Sequence, residues 1–151
     1  MTQNKWVSFF LGDLKAANVM FREEMYNHAC FHAHQATEKA LKGFLEENKI
    51  APPKTHNLIQ LTEQCQIIDV NFSNILPKVR FLNRFYIPTR YPIASIGSIS
   101  SGMPSKNQAQ KTIEYAKEIT DYCLNAIRQK TAEKYNGRQI KKKDMDWGFD
   151  R

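Results

Sequence analysis

Apolar residues recur every three or four positions from about Lys5 to Glu24: Trp6, Phe10, Ala17 and Met20, with Asp13 set among them. That is the spacing of one helix face, and Phe9, Leu14 and Phe21 widen it. A second helix is expected from about Asn27 to Asn48. At about 100° per residue, Ala29, Ala33, Ala36, Ala40 and Phe44 gather on one side. His28, His32, Gln35, Lys39, Lys42 and Glu46 gather opposite. The small apolar side would let a neighbouring helix approach closely.

Pro52-Pro53 stops that helix, since proline offers no backbone donor. Asn57, with Gln60 three residues on, caps a short third helix ending at Gln64 or Cys65. A fourth begins near Asn74, with Pro77 in its first turn, and ends at Pro88 and Pro92. Leu82, Phe85 and Tyr86 form its apolar side, while Arg80 and Arg84 share another. Residues 93–104 read as a loop of small side chains. Ser105 and Gln108 form a second capping-box pair, opening a fifth helix to about Gln129. Within it Ile113, Ala116, Thr120, Cys123 and Ile127 step three and four apart. Asn136-Gly137 and Lys141-Lys142-Lys143 then read as a frayed or extended end, in which Trp147 and Phe149 are expected to dock on the body or on a partner. The pattern predicts an all-α, up-and-down bundle of four main helices and one short one. Residues 1–130 make the bundle domain, and 131–151 a basic C-terminal tail.

Composition adds little to that fold and more to its chemistry. The 151 residues suit one domain, and six Gly with six Pro suit helices with short joints. No stretch approaches the ~18 apolar residues that cross a bilayer, and Met1 to Lys5 lead to Trp6 without a secretory pattern. A cytosolic protein is expected. Cys30, Cys65 and Cys123 are odd in number and far apart, so they read as small buried hydrophobes rather than a disulfide or zinc framework. The net charge is +7, and residues 128–151 carry eight Lys/Arg against four Asp/Glu. A basic tail of this kind either attracts phosphates or is a solvated extension.

Three short stretches carry more information together than singly. They are Gln35-Ala36-Thr37-Glu38-Lys39-Ala40-Leu41-Lys42, then Thr55-His56-Asn57-Leu58, then Tyr86-Ile87-Pro88-Thr89-Arg90-Tyr91-Pro92. In this order and spacing the chain, over about residues 5–129, resembles the HEPN family of helical-bundle domains. The resemblance implies a homodimer formed through helix faces, often acting with a minimal nucleotidyltransferase as a toxin–antitoxin pair, or binding a nucleotide. One branch of the family is a metal-independent ribonuclease marked by Arg, four to six residues, then His, late in the bundle. Here no His follows Arg80, Arg84 or Arg90, because the histidines stand at 28, 32, 34 and 56. Arg22 and His28 have the bare spacing, but at the joint of the first two helices. The chain therefore resembles the branch without that motif.

The residues that could hold a nucleotide or phosphate are Gln35, Lys39, His56, Tyr86 and Arg90. Lysine meets phosphate as a point charge and arginine bidentately, and a tyrosine can stack on a base. Against this, Glu38 and Lys42 read as a solvated i, i+4 pair, and Arg90 as a cap on the fourth helix. His56 reads equally as a loop anchor beside Asn57. His28 and His32 share a helix face but lack a third metal ligand. No catalytic residue, metal or cofactor is assigned. Arg80 and Arg84 are like charges one turn apart, mildly unfavourable without an anion between them. The function expected is a non-catalytic module that binds a phosphate-bearing ligand and works with a partner protein. The alternatives are an atypical ribonuclease toxin, holding RNA through the arginines and the tail, and a purely structural dimerisation domain.

Overall fold

Asn4 starts the first helix by accepting the Trp6 amide on its side chain at 2.9 Å. In the computed structural model, residues 4–85 and 103–149 are described, with side chains through residue 139. Helix α1 spans Lys5–Arg22, α2 Tyr26–Glu47 and α3 Leu58–Ile68. A 3-10 segment at Val70–Ile75 leads into α4, Leu76–Asn83, and α5 spans Lys106–Phe149. The described residues hold no strand, so the all-α bundle expected from the spacing is the architecture.

Helices α1 and α2 end alike. Glu24 and Lys49 take left-handed backbone, with φ of 60° and 63°. After α1, Met25 N bonds Met20 O at 2.9 Å and Glu24 N bonds Phe21 O at 3.0 Å. After α2, Ile50 N bonds Leu45 O at 3.0 Å and Lys49 N bonds Glu46 O at 2.9 Å. This double bond closes each helix on its own orphan carbonyls and reverses the chain. The two caps foreseen by spacing are also present. The Asn57 side chain accepts from Ile59 N and Gln60 N. Ser105 N bonds Gln108 Oε1 at 2.9 Å, and Gln108 N bonds Ser105 Oγ at 3.1 Å.

The central helix is α2, which packs against α1, α3, α4 and α5. Its alanines 29, 33, 36 and 40 are fully buried, and their small size lets neighbouring backbones close in. Around them sit Phe10, Leu41, Leu45, Leu58, Leu61, Leu82 and Ile119, with the Phe44 and Phe72 rings 4.5 Å apart and tilted by 44°. At Gly43 the helices come close, because a Cβ there would lie 2.9 Å from Trp6 Cβ. All three cysteines are buried and free, as expected of small hydrophobes. Burial pushes the Cys30 thiol up to about 12, so it stays protonated and inert.

Several limits differ from the expectation: α3 runs past Cys65 to Ile68, and α4 ends at Asn83, short of Pro88. The fourth helix is preceded by the 3-10 segment, whose entry Asp69 caps by accepting from Asn71 N at 3.0 Å. The fifth helix continues for 20 residues past Gln129, through Asn136-Gly137, to Phe149. Its 44 residues make a rod of about 66 Å, twice the length of α2. The rod is fastened where α2 ends: Thr131 Oγ1 donates to Glu47 Oε1 at 2.9 Å and Lys134 Nζ to Glu47 O at 2.6 Å. From Tyr135 to Gln139 the side chains are exposed.

Candidate functional site

Adjacent residues on a helix point about 100° apart, so the polar stretch on α2 divides between two neighbours. Glu38 faces the segment before α3, accepting from Lys42 Nζ at 3.0 Å and meeting His56 Nδ1 at 2.9 Å. It is only 5% exposed. The expected i, i+4 pair is therefore present but largely buried, with His56 on the other Glu38 oxygen. One turn earlier, His34 is fully buried. Burial, and then repulsion from His56, lower its pKa to about 3, which keeps the ring neutral.

Lys39 instead faces α1, where its Nζ lies 2.5 Å from Asp13 Oδ2 and 5.9 Å from the centre of the Phe9 ring. His32 Nδ1 meets the other oxygen of Asp13 at 3.2 Å. Gln35 is half-buried, one turn from both. Gln35 and Lys39 thus share a face, while His56 belongs to the Glu38 cluster. Each of the two basic side chains already faces its own carboxylate. Tyr86 and Arg90 lie outside the described residues.

A different arrangement forms where α4 meets the first turns of α5. Asn83 Oδ1 accepts from Leu58 N at 2.8 Å, pinning the end of α4 to the start of α3. A surface groove of about 450 Å³ opens beside it, lined by Lys78, Arg80, Phe81, Arg84, Lys111 and Tyr115. Phe81 and Tyr115 meet edge to face at 5.3 Å. The Arg84 guanidinium lies 4.7 Å from the Phe81 ring centre, with Lys111 Nζ at 5.0 Å. Lys111 and Lys78 lie 5.4 and 5.8 Å from the Tyr115 ring centre. Lys78 bonds Glu118. Among the described residues no carboxylate pairs with Arg80, Arg84 or Lys111.

Spacing alone had marked Arg80 and Arg84 as an unbalanced pair but missed Phe81, Lys111 and Tyr115. The signal available was the repeated cation–aromatic step: Lys78–Phe81–Arg84 at i, i+3 and Lys111–Tyr115 at i, i+4. Only the fold shows that these two steps face each other.

Comparison with known proteins places this bundle among relatives. The family model described as "HEPN domain" matches residues 6–127. A protein of Methanocaldococcus jannaschii named "Putative toxin MJ1304" is 24% identical over 136 residues, covering 85% of this chain and 87% of its own. The crystal structure of TT1696 from Thermus thermophilus shares the fold with a TM-score of 0.68 at 23% identity, covering 82% of this chain and 99% of its own. ST0689, an archaeal HEPN homologue, superposes with a TM-score of 0.66 at 26% identity, covering 84% of this chain and 99% of its own.

Proposed function

The chain belongs to the HEPN domain family, and on that footing we propose that it is the toxin-type member of a two-protein pair, a cytosolic homodimer that binds a nucleotide or other phosphate-bearing ligand. Its partner is a second protein of antitoxin type, with a minimal nucleotidyltransferase as the class expected from the family. The toxin-named relative supports the pairing. Ligand binding is carried by one observation, the groove in which four cations and two aromatic rings converge with no carboxylate in the lining. Arg80 in α4 and Arg84 at its C-cap, one turn apart, repel each other until an anion sits between or beside them. The guanidinium forks match phosphate oxygens bidentately.

Of the residues marked by sequence, Tyr86 and Arg90 are kept as ligand contacts on the family resemblance alone. Gln35, Lys39 and His56 are kept as a secondary contact region. Lys39 and His56 can join it only by exchanging a carboxylate for a phosphate. Calorimetric titration of the full chain with ATP, GTP and a short RNA tests the reading. Binding in the micromolar range is expected, weakened at least about tenfold in Arg84→Ala and in Arg90→Ala, each with wild-type helicity. Absence of heat with all three ligands, from folded protein, overturns it.

A further inference from the structure

We infer that the projecting part of α5 is a docking surface for an acidic helix of a partner protein, seated on a row of cations that continues the buried face of α5. The inference rests on the two-protein reading above and adds the surface and the chemistry of what covers it.

As far as Ile127 the inner face of α5 is apolar, with Ala116, Ile119, Cys123 and Ile127 all buried. From Arg128 to Gln139 no residue is buried, yet the helix runs on to Phe149. At about 100° per residue, Lys130, Lys134, Arg138 and, by register, Lys141 fall on the arc that Cys123 and Ile127 occupy. The stripe keeps its register where the bundle ends and changes from apolar to cationic. It is about 17 Å long, and no carboxylate falls on it.

Its fastened member shows what the row takes. Lys134 Nζ reaches the C-terminal end of α2, bonding Glu47 O at 2.6 Å and lying 3.4 Å from Glu47 Oε1. One ammonium thus holds an orphan helix carbonyl and a carboxylate together. The other acids of that corner are already engaged. Glu47 also accepts from Asn4 and Thr131, and Glu46 pairs with Lys5 and Trp6. Among the described residues no carboxylate pairs with Lys130, with Arg138, or with Lys49 just past the end of α2. Arg138 and Lys49 are exposed.

A solvated extension gains nothing from cations in one row, because like charges at i, i+4 weaken a helix. Gly137, at the edge of the row, weakens it again. Nothing lies within 4 Å of a Cβ built there, so a partner's backbone has room to come close. An acidic helix with carboxylates three and four residues apart matches the spacing of the row, neutralises it, and extends the contact that Glu47 begins. Carboxylate is favoured over nucleic acid because the anion already held is Glu47. Nor does any aromatic residue fall on the row between positions 130 and 141, so a base has nothing to stack on there.

The experiment measures binding to the full chain of a helical peptide of about 15 residues with glutamates three and four apart. Its glutamine analogue and an RNA strand of equal charge are measured beside it. Two variants remove equal charge from different faces. The row variant combines Lys130→Gln, Arg138→Gln and Lys141→Gln, and leaves Lys134 to fasten the rod. The off-row variant combines Lys117→Gln, Arg128→Gln and Lys143→Gln, which by register lie opposite. Glutamine nearly matches lysine and arginine in helix propensity, and circular dichroism checks that both variants keep their helix.

The glutamate peptide is expected to bind wild type, and its glutamine analogue is not. The row variant should weaken the peptide at least about tenfold, the sum of three exposed ion pairs. The off-row variant should change it by less than about twofold. Equal losses in the two variants reduce the contact to net charge and overturn the proposal. RNA that binds tighter than the glutamate peptide, and is lost with the row, also overturns it and makes the row a nucleic-acid surface. If the row variant loses its helix, Arg138→Glu against Arg128→Glu gives the same comparison. Growth of cells expressing the chain alone is followed in parallel, and absence of arrest counts against the toxin-type reading. A glutamate peptide that fails to bind a chain which does arrest growth overturns the docking row and leaves the pairing intact.

Discussion

His34 is the residue whose chemistry departs furthest from its sequence appearance. One of three histidines along α2, it is fully buried, and burial holds its pKa near 3. In the unfolded chain it titrates near 6.5. Between those values the unfolded state binds one proton more, so stability rises with pH and falls as pH drops. We predict that the chain loses about 1 kcal/mol of unfolding free energy between pH 6 and pH 5 from this residue. His34→Leu should flatten that slope in denaturant titrations at the two pH values, and an unchanged slope would contradict the assignment. Glu47 acts in the same direction at lower pH. Its partial burial would raise its pKa, but hydrogen bonds from Asn4 and Thr131 and the charge of Lys134 outweigh it and hold the carboxyl below its ordinary value. The stability it contributes is present above the unfolded carboxylate value and is lost as pH falls through the depressed one. Sequence showed the caps at Asn57, Ser105 and Gln108 because a cap is a local contact. It could not show the setting of Glu38, since its partner His56 is 18 positions away.

At the scale of elements, helix existence was legible and helix ends less so. The three- and four-residue steps placed α1 and α2 within two residues of their observed limits, because both helices bury a continuous face. The limit set for α5 at Gln129 failed for a physical reason: Gly137 disfavours a helix locally, while the bonds of Thr131 and Lys134 to Glu47 anchor its last packed turn. The α1–α2 joint is a sharper test of packing. Gly43→Ala should gain up to about 1 kcal/mol of helix propensity. It must also push Trp6, whose Cβ would be 2.9 Å away, at a cost of about 1–3 kcal/mol for overpacking. Net destabilisation is expected, while Gly12→Ala on the exposed side of α1, with nothing within 4 Å of the added methyl, should stabilise. Thermal unfolding of the two variants checks the opposite signs, and a stabilised Gly43→Ala would show that the joint has slack.

The whole molecule explains why the candidate site was only half visible. Arg80 and Arg84 stand out along the chain as an uncompensated pair, whereas Lys111 and Tyr115 join them from about 30 residues away, through the packing of α5 on α4. Conversely, Lys39 and His56 looked available in the sequence and are found facing Asp13 and Glu38. The fold thus sets two basic regions apart, one internally balanced and one open to an anion. That contrast makes the position of the ligand more decisive than its affinity. The most direct measurement follows backbone amide shifts by NMR as ATP is titrated into the full chain. Saturable shifts are expected from Lys78 to Arg84, across α4 and its C-cap, and on α5 from Lys111 to Tyr115, with Gln35, Lys39 and His56 nearly still. Shifts centred on Gln35, Lys39 and His56 with a silent groove would contradict it.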